Sequence, residues 1–232
     1  MEAGNEAIFL DGGTGIVSPP NLGNRPIHIL LTHLHLDHLI GLPFFPPLSQ
    51  KGRQIDLYSE RRMDTDIRAM MNRLFAPPFW PLRLEDYPSD LHYHDIEGSF
   101  RIGDVDIQIM SAAHPGGSTV FKLNYKGKIL VFATDFEHLD NKSGELAEFA
   151  ANADLLLYDA QYTEEDYEPH KGFGHSTAEE GIRIAEKACV KQVYFIHHNP
   201  DYTDEKLLAM DEKLRVLHPN MAIIKQGTRI IL

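Results

Sequence analysis

Short apolar runs divide the chain into predicted strands. Ala7–Asp11, Ile27–Thr32 and Ile55–Tyr58 are brief and rich in apolar residues, as expected of buried strands. Each is bounded by glycine, proline or polar residues, which are typical of turns. The later strands predicted in the same way are a hairpin of Phe100–Ile102 and Val105–Ile109, a hairpin of Thr119–Tyr125 and Lys128–Ala133, then Asp154–Asp159, Val193–Ile196, and a closing hairpin of Ala222–Lys225 with Thr228–Leu232.

Helical spacing of apolar residues separates these strands. Glu60–Leu74 carries apolar residues at that spacing, and the prolines that follow must end the helix. Ser176–Cys189 is a second helix, with Ser176 or Thr177 as its cap, and Lys142–Ala151 and Asp204–Leu217 are two more. A strand-rich first half followed by strands that lead into helices predicts an α/β fold, a sandwich of two packed sheets with helices outside.

The segment Phe75–Trp80 combines aromatic residues with prolines. We favour an irregular segment that packs its aromatic rings on the core. The alternatives are a lid or wall beside an active site, or part of a homodimer interface.

Composition narrows the choice of partners. The net charge is −12, from 34 acidic and 22 basic residues, which disfavours a nucleic acid or another large polyanion. No apolar run reaches the roughly 20 residues of a membrane-spanning helix, and the absence of a leader-like N-terminus predicts a cytoplasmic protein. The single cysteine, Cys189, fits a reducing compartment, and its apolar-periodic surroundings predict a buried structural thiol.

The residues with the strongest chemical signal are His33, His35, Asp37 and His38. They follow a buried strand, and in an extended chain the first three would share one face while Leu34 and Leu36 point to the interior. Histidine and carboxylate ligands in this arrangement indicate a metal site that suits zinc, with manganese or iron as alternatives.

More ligand-type residues stand where later predicted strands end. His114 follows one strand, Asp135 follows the next, and His197-His198 follows Val193–Ile196. A carboxylate at a strand end is able to bridge two cations. Because six residues cannot complete two metal sites, these later residues are the candidates for the missing ligands.

This order of motifs resembles the metallo-β-lactamase superfamily, through the H-x-H-x-D-H signature at His33–His38 and the later ligand positions. The resemblance implies a single αββα domain over residues 1–232, made of two mixed sheets with outer helices, in which the family's first N-terminal strand is missing. It also implies a dinuclear centre with two divalent ions. Its first metal would be held by His33, His35 and His114, its second by Asp37, His38 and His197, with Asp135 as the bridge and His198 placed behind His197.

Within that superfamily the chain is similar to the ribonuclease Z and phosphodiesterase branch. The resemblance lies in Gly174-His175-Ser176-Thr177 and in the ending His197-x-x-Pro200-x-Tyr202. It implies that His175 donates a proton near the scissile phosphate, although Ser176-Thr177 would also simply cap a helix. The long basic arm of ribonuclease Z has no counterpart between Lys51 and Asp95, which disfavours a tRNA substrate.

The favoured function is therefore a phosphodiesterase for a small anionic or cyclic phosphodiester. A metal-bridging hydroxide would attack phosphorus, Asp37 would orient it or accept its proton, and His175 would protonate the leaving oxygen. One alternative is a lactone, ester or thioester hydrolase assisted by Tyr162 or Tyr202. The others are a tRNA 3′-processing endoribonuclease and a non-catalytic binding module, whereas His35 disfavours a redox role of the flavodiiron kind.

Overall fold

The computed structural model describes all 232 residues, which divide into an N-terminal unit, Met1–Asp106, and a C-terminal unit, Ile107–Leu232. No helix is long and apolar enough to cross a membrane.

A five-stranded sheet forms the N-terminal unit, with its strands in chain order. The first two strands are antiparallel, and the remaining neighbours are parallel. Alternate residues such as Ile27, Ile29 and Leu57 bury one face in a core shared with the helix α1, because successive strand residues point to opposite faces. The elements are β1 (Glu2–Ala3), β2 (Glu6–Leu10), β3 (Ile27–Leu30), β4 (Gln54–Glu60), α1 (Ile67–Leu74), β5 (Asp90–Ile96) and the short β6 (Phe100–Ile102).

The C-terminal unit holds the second sheet. Its strands β9 to β12 are mutually parallel, and β8 joins β9 in an antiparallel pair, so this sheet is also mixed. Within this unit the strand order is β12-β11-β10-β9-β8-β7. The strands are β7 (Val105–Ala112), β8 (Ser118–Tyr125), β9 (Lys128–Ala133), β10 (Leu155–Asp159), β11 (Val193–Ile196) and β12 (Met221–Ile223), and the helices are α2 (Lys142–Phe149), α3 (Glu164–Tyr167), α4 (Ala178–Ala188) and α5 (Asp204–Leu217).

The helix α4 lies close against this sheet because it carries Gly181 on the contacting side. A Cβ atom there would come within 2.6 Å of ring carbons of both Tyr158 and Phe195. Thr177 caps the helix by accepting a hydrogen bond from the amide of Glu180, as one of the two predicted caps. This close packing fixes the position of the segment just before the helix, which includes His175.

Most predicted elements are confirmed, and several match at both ends, including Lys128–Ala133, Val193–Ile196 and Asp204–Leu217. The helix predicted over Glu60–Leu74 is wrong in its first half, because β4 continues to Glu60 and α1 begins only at Ile67. Asp66 starts α1 by accepting from the amide of Ala69 at 2.7 Å. The strand β5 was not predicted, because polar residues dominate its sequence, although Leu91 and Tyr93 on one face pack against the core.

The predicted closing hairpin is also wrong. Met221–Ile223 pairs in parallel with β11, and none of residues 224–232 lies in a strand. Cys189 is exposed, which corrects the prediction of a buried thiol. It ends α4 in a left-handed conformation (φ 54°), and this turn takes its side chain off the apolar face of the helix.

Only part of the aromatic segment Phe75–Trp80 packs on the core. Phe75 is buried, and Trp80 packs edge-on against Phe44 and donates to the Tyr87 hydroxyl at 3.3 Å. These two rings pack on the core of the N-terminal unit, as favoured from the sequence. Phe79 is 83% exposed and takes no part in that packing.

One buried carboxylate gives the C-terminal unit a predictable pH dependence. Asp154 accepts from the Ile129 amide at 2.9 Å and from the ammonium group of Lys191 at 2.8 Å. The hydrogen bond from Lys191 and that from the Ile129 backbone lower the pKa of Asp154 to about 2. Its contribution to stability is therefore complete above the unfolded pKa of about 3.9 and is lost as the pH falls through about 2.

We expect Asp154→Asn to lower the free energy of unfolding by about 1 kcal/mol at pH 7, since Lys128 and Lys191 are more than half exposed and solvent screens part of their interaction with Asp154. Urea unfolding of both proteins should show this difference shrinking between pH 4 and pH 2. Asp104→Asn, at an exposed position, serves as the control and should show no such trend. A difference that stays constant over this pH range would contradict the assignment.

Candidate metal centre

In the N-terminal unit, the ligand-type side chains gather just beyond β3. The strand ends at Leu30, and the chain forms a helical turn over Leu36–His38. The rings of His33 and His35 are 4.4 Å apart between centroids, and those of His33 and His38 are 4.3 Å apart. His38 Nε2 also lies 3.1 Å from a carboxylate oxygen of Asp37. Three histidines and one carboxylate of the motif therefore cluster.

The way these residues cluster differs from the predicted extended chain. His33 and His38 are buried, whereas His35 and Asp37 are exposed. Leu36, predicted to face the interior, is 53% exposed. The helical turn is the reason, because it replaces the two-residue alternation of a strand and brings neighbouring side chains to one side.

Asp11 orients this cluster, a role that the sequence alone did not reveal. Its Oδ2 lies 2.8 Å from His38 Nδ1, and because a carboxylate only accepts, Nδ1 carries the proton. Nε2 of His38 is then the nitrogen directed away from Asp11, toward the carboxylate of Asp37. Asp11 Oδ1 accepts from the amide of Thr32 at 2.7 Å, and the Thr32 hydroxyl lies 3.0 Å from His33 Nδ1.

A second cluster lies within the C-terminal unit, where neighbouring parallel strands end. Asp135 follows β9, Asp159 ends β10, His197 follows β11, and His175 precedes α4. Each of the four offers a ligand atom within 4.8 Å of the others. His197 Nε2 is 3.6 Å from Asp135 Oδ2, and the rings of His175 and His197 are stacked at 5.0 Å. Parallel strands bring their carboxyl ends to one edge of a sheet, which explains the convergence.

Asp159 is the fully buried hub of this cluster. Its Oδ2 accepts from the amide of Asp135 at 2.9 Å and from His175 Nδ1 at 2.9 Å. Its Oδ1 accepts from the amides of Ser176 at 3.0 Å and Gln161 at 3.2 Å. Four donors compensate the buried charge and fix His175 so that its Nε2 atom points away from Asp159.

His114 belongs to the same unit and is oriented by a backbone carbonyl. Its Nδ1 donates to the carbonyl of Gly174 at 2.9 Å, and its Nε2 is 3.7 Å from Asp135 Oδ1. A Cβ atom on Gly174 would lie 2.1 Å from His114 Nδ1, and this residue has a φ of 95°. Only glycine permits this approach, in which Nδ1 of His114 is held by the backbone and Nε2 is directed toward Asp135.

The structure separates the two adjacent histidines of the C-terminal motif. His197 lies beside Asp135 and Asp159, at 3.6 and 3.7 Å. His198 turns away toward the carbonyl of Ala160, with Nδ1 at 3.4 Å. Burial lowers the pKa of His198, because it disfavours the charged imidazole. This geometry favours His197 as the ligand and His198 as a supporting residue.

Three residues at strand ends have left-handed backbone. Asp11, Asp135 and His197 have φ values of 62°, 51° and 58°. Such a conformation costs a non-glycine residue roughly 1 kcal/mol or more and is concentrated at functional sites. It turns each side chain out of the strand alternation, which pattern analysis of the sequence could not anticipate.

The donor sets fit divalent metal ions. Both clusters consist of imidazole nitrogens and carboxylate oxygens, the ligands that zinc, manganese and iron accept. Nδ1 of His38 donates to the carboxylate of Asp11, and Nδ1 of His114 donates to the carbonyl of Gly174. Metal-binding histidines usually have such a partner on the ring nitrogen that does not bind the metal.

Asp11, Asp159 and the buried Glu137 were missed from the sequence. For Asp11 and Asp159 the sequence did contain a signal, since each is an acidic residue at the end of a predicted strand. In the structure, a strand parallel to each of these leads to a candidate ligand. Glu137 gave no such signal. Its carboxylate accepts from the amides of Gly172 at 2.6 Å and Gly174 at 2.9 Å, which lie 35 and 37 residues away in sequence.

The mixed sheets and the histidine–carboxylate clusters define the class of protein: a metal-dependent hydrolase with the metallo-β-lactamase fold. The family model described as "Beta-lactamase superfamily domain" matches residues 8–198, and the chain belongs to that family. The predictions of this fold class and of a metal-dependent hydrolase are thereby confirmed.

Curated relatives point to the predicted branch. The chain is 25% identical to ribonuclease Z of Thermoplasma acidophilum, over 80% of this chain and 73% of the relative. It is also 25% identical to ribonuclease Z of Brevibacillus brevis, over 88% of this chain and 79% of the relative. The resemblance to the ribonuclease Z branch is confirmed at this level.

Solved structures show the same fold. The metallo-beta-lactamase fold protein YhfI from Bacillus subtilis superposes with a TM-score of 0.71 at 17% identity, covering 98% of this chain and 88% of that one. The short form of human tRNase Z gives a TM-score of 0.70 at 17% identity, covering 100% and 90%. A diphosphatase of the PhnP family gives 0.68 at 19% identity, covering 100% and 82%.

We expect Asp11→Ala to weaken metal binding about 10- to 100-fold, the usual effect of removing a residue that orients a ligand. His38 would lose the partner that directs its Nε2 atom. Competition with a chromophoric chelator would measure the change in metal affinity.

The matched control is Asp64→Ala, because Asp64 is exposed and has a similar φ of 56°. It shares the acidic charge and the left-handed backbone but lies outside the cluster. Equal losses of affinity in the two variants would contradict the orienting role of Asp11.

Proposed function

We propose that this protein is a dinuclear metal-dependent phosphodiesterase that acts on a small or cyclic phosphodiester. The observation that carries the proposal is the buried Asp159–His175 pair beside Asp135 and His197. A histidine held by a buried carboxylate and placed next to candidate metal ligands is suited to proton transfer at a phosphate ester.

We assign the ligands as the family resemblance implies, with zinc as the proposed metal. Bound divalent ions would neutralise phosphate charge and lower the pKa of water. The proposed ligands are His33, His35 and His114 for one ion, Asp37, His38 and His197 for the other, and Asp135 as the bridge.

The chain's own residues would then handle the protons. Asp159 accepts from Nδ1 of His175 and orients the ring, so that Nε2 is the atom proposed to give a proton to the leaving oxygen. Asp37, whose side chain is 65% exposed, is proposed to accept a proton from the attacking water. Asp11 keeps His38, the neighbour of Asp37, in place.

A small substrate is favoured by charge. The net charge of −12 opposes a long polyanion, and the segment that leads to His175 carries Glu164, Glu165, Asp166 and Glu168 against one base, Lys171. The second candidate is tRNA 3′ processing, which the names of the curated relatives support. A cytoplasmic location and a homodimer remain predictions.

The decisive experiment is a substrate panel with defined zinc or manganese loading. We expect turnover of bis-p-nitrophenyl phosphate and of at least one cyclic nucleotide, with little turnover of lactones. Efficient cleavage of a tRNA precursor with weak turnover of the small esters would establish the second candidate instead. Lactone turnover without phosphodiester turnover would overturn both.

We expect His175→Ala to lower kcat for bis-p-nitrophenyl phosphate about 10²- to 10⁴-fold, the usual contribution of a general acid or base. Metal content should stay unchanged, because His175 is proposed to act on the substrate and not as a ligand. Atomic emission on the dialysed protein, together with steady-state kinetics, separates the two roles.

His92→Ala is the matched control, since His92 is a half-exposed histidine that pairs with Asp90 on β5. It should leave both quantities unchanged. Loss of metal from His175→Ala would make His175 a ligand, and an unchanged kcat would exclude both roles.

A further inference from the structure

We propose that Phe173 is a specificity-determining residue that stacks against a planar ring of the substrate, an aryl group or nucleobase carried by the phosphodiester. This inference rests on the proposed function. Phe173 is 58% exposed although it lies only two residues before His175. Two residues span at most about 7 Å of chain, so a ring attached close to the scissile phosphate is within reach of the phenyl group.

A continuous series of ring contacts connects Phe173 with His175. Phe173 meets the edge of His170 at 5.4 Å between ring centroids, and His170 stacks on Tyr162 at 4.6 Å with an interplanar angle of 16°. Tyr162 in turn contacts His175 edge-on at 6.1 Å. Aromatic pairs favour such offset and edge-on geometries, so each ring restricts the next.

The backbone under Phe173 is held at both sides. Its flanking residues, Gly172 and Gly174, have φ values of 91° and 95°, and their amides donate to the buried carboxylate of Glu137. The amide of Phe173 itself donates to the carbonyl of His170 at 3.0 Å. Glu137 also accepts from the Tyr167 hydroxyl at 3.1 Å.

This anchoring distinguishes Phe173 from an ordinary exposed apolar residue. Single exposed hydrophobic side chains are common and need no function. Here, however, the buried carboxylate of Glu137 accepts hydrogen bonds from the amides on both sides of Phe173 and so holds the backbone that carries the exposed ring, two residues before a candidate catalytic histidine. Because this backbone is already ordered, less conformational entropy is lost when the ring stacks on a ligand.

The test compares Phe173→Ala with wild type on phosphodiesters with and without an aromatic ring, and each ester is compared only with itself between the two proteins. For bis-p-nitrophenyl phosphate and cyclic nucleotides we expect KM to rise about tenfold with kcat nearly unchanged, as for the loss of one stacking contact. For glycerophosphocholine, which has no ring, KM should not change. Phe173→Trp should restore the wild-type KM for the ring-bearing esters.

The control is Val216→Ala, which removes apolar surface from an 81% exposed position on α5 and should change neither KM. Equal changes for ring-bearing and ringless esters, or no change in Phe173→Ala, would overturn the inference. Thermal unfolding of each variant shows whether the fold is kept.

A binding measurement separates this inference from the proposed function. Calorimetry with p-nitrophenyl phosphate and methyl phosphate on the metal-loaded protein needs no turnover. If wild type hydrolyses no phosphodiester, the proposed function fails, and selective weakening of p-nitrophenyl phosphate binding in Phe173→Ala still supports the stacking surface. Equal affinities of wild type and Phe173→Ala for p-nitrophenyl phosphate would reject it.

Discussion

The buried carboxylate of Asp159 is the interaction on which the C-terminal cluster depends. Removing a charge from water is costly, and here four hydrogen bonds, three from backbone amides and one from His175, offset that cost. Because the donors come from the end of β9, from just after β10 and from the start of α4, one side chain sets the distance between these elements. The placement of Asp135 and His175 is therefore a consequence of satisfying Asp159.

The N-terminal unit uses the same principle with different residues. Asp11 accepts from the Thr32 amide and from His38, and so joins the end of β2 to the segment after β3. In both units a carboxylate at the end of a parallel strand orients a histidine outside the strands, His38 in the N-terminal unit and His175 in the C-terminal unit. The left-handed backbone of Asp11, Asp135 and His197 is the local cost of this arrangement, and the hydrogen bonds and packing around them hold that strain in place.

The sequence was most informative where physical pattern and chemistry coincide. Short apolar strands such as Val193–Ile196 and the long helix Asp204–Leu217 were predicted to the residue, because their patterns are local. The strand β5 was not predicted, since it is held by pairing with β4 and its largely polar sequence has no clear strand pattern. Asp11, Asp159 and Glu137 escaped for a related reason: the hydrogen bonds that define their roles join residues 16 to 37 positions apart.

The positions of the candidate site residues in the fold match the roles proposed for them. Asp11, Asp135, Asp159 and His197 stand at or just beyond strand ends, where sheet geometry restricts their movement, whereas Phe173 stands in the segment between a short helical turn that ends at His170 and the helix α4. Strand ends suit chemistry that requires fixed distances, and loops can change without disturbing the sheet. Glu137 links the two, because it follows β9 closely and holds the loop that carries Phe173. The segment that carries Phe173 can therefore vary in sequence while the hydrogen bonds of Asp159 keep Asp135 and His175 in place.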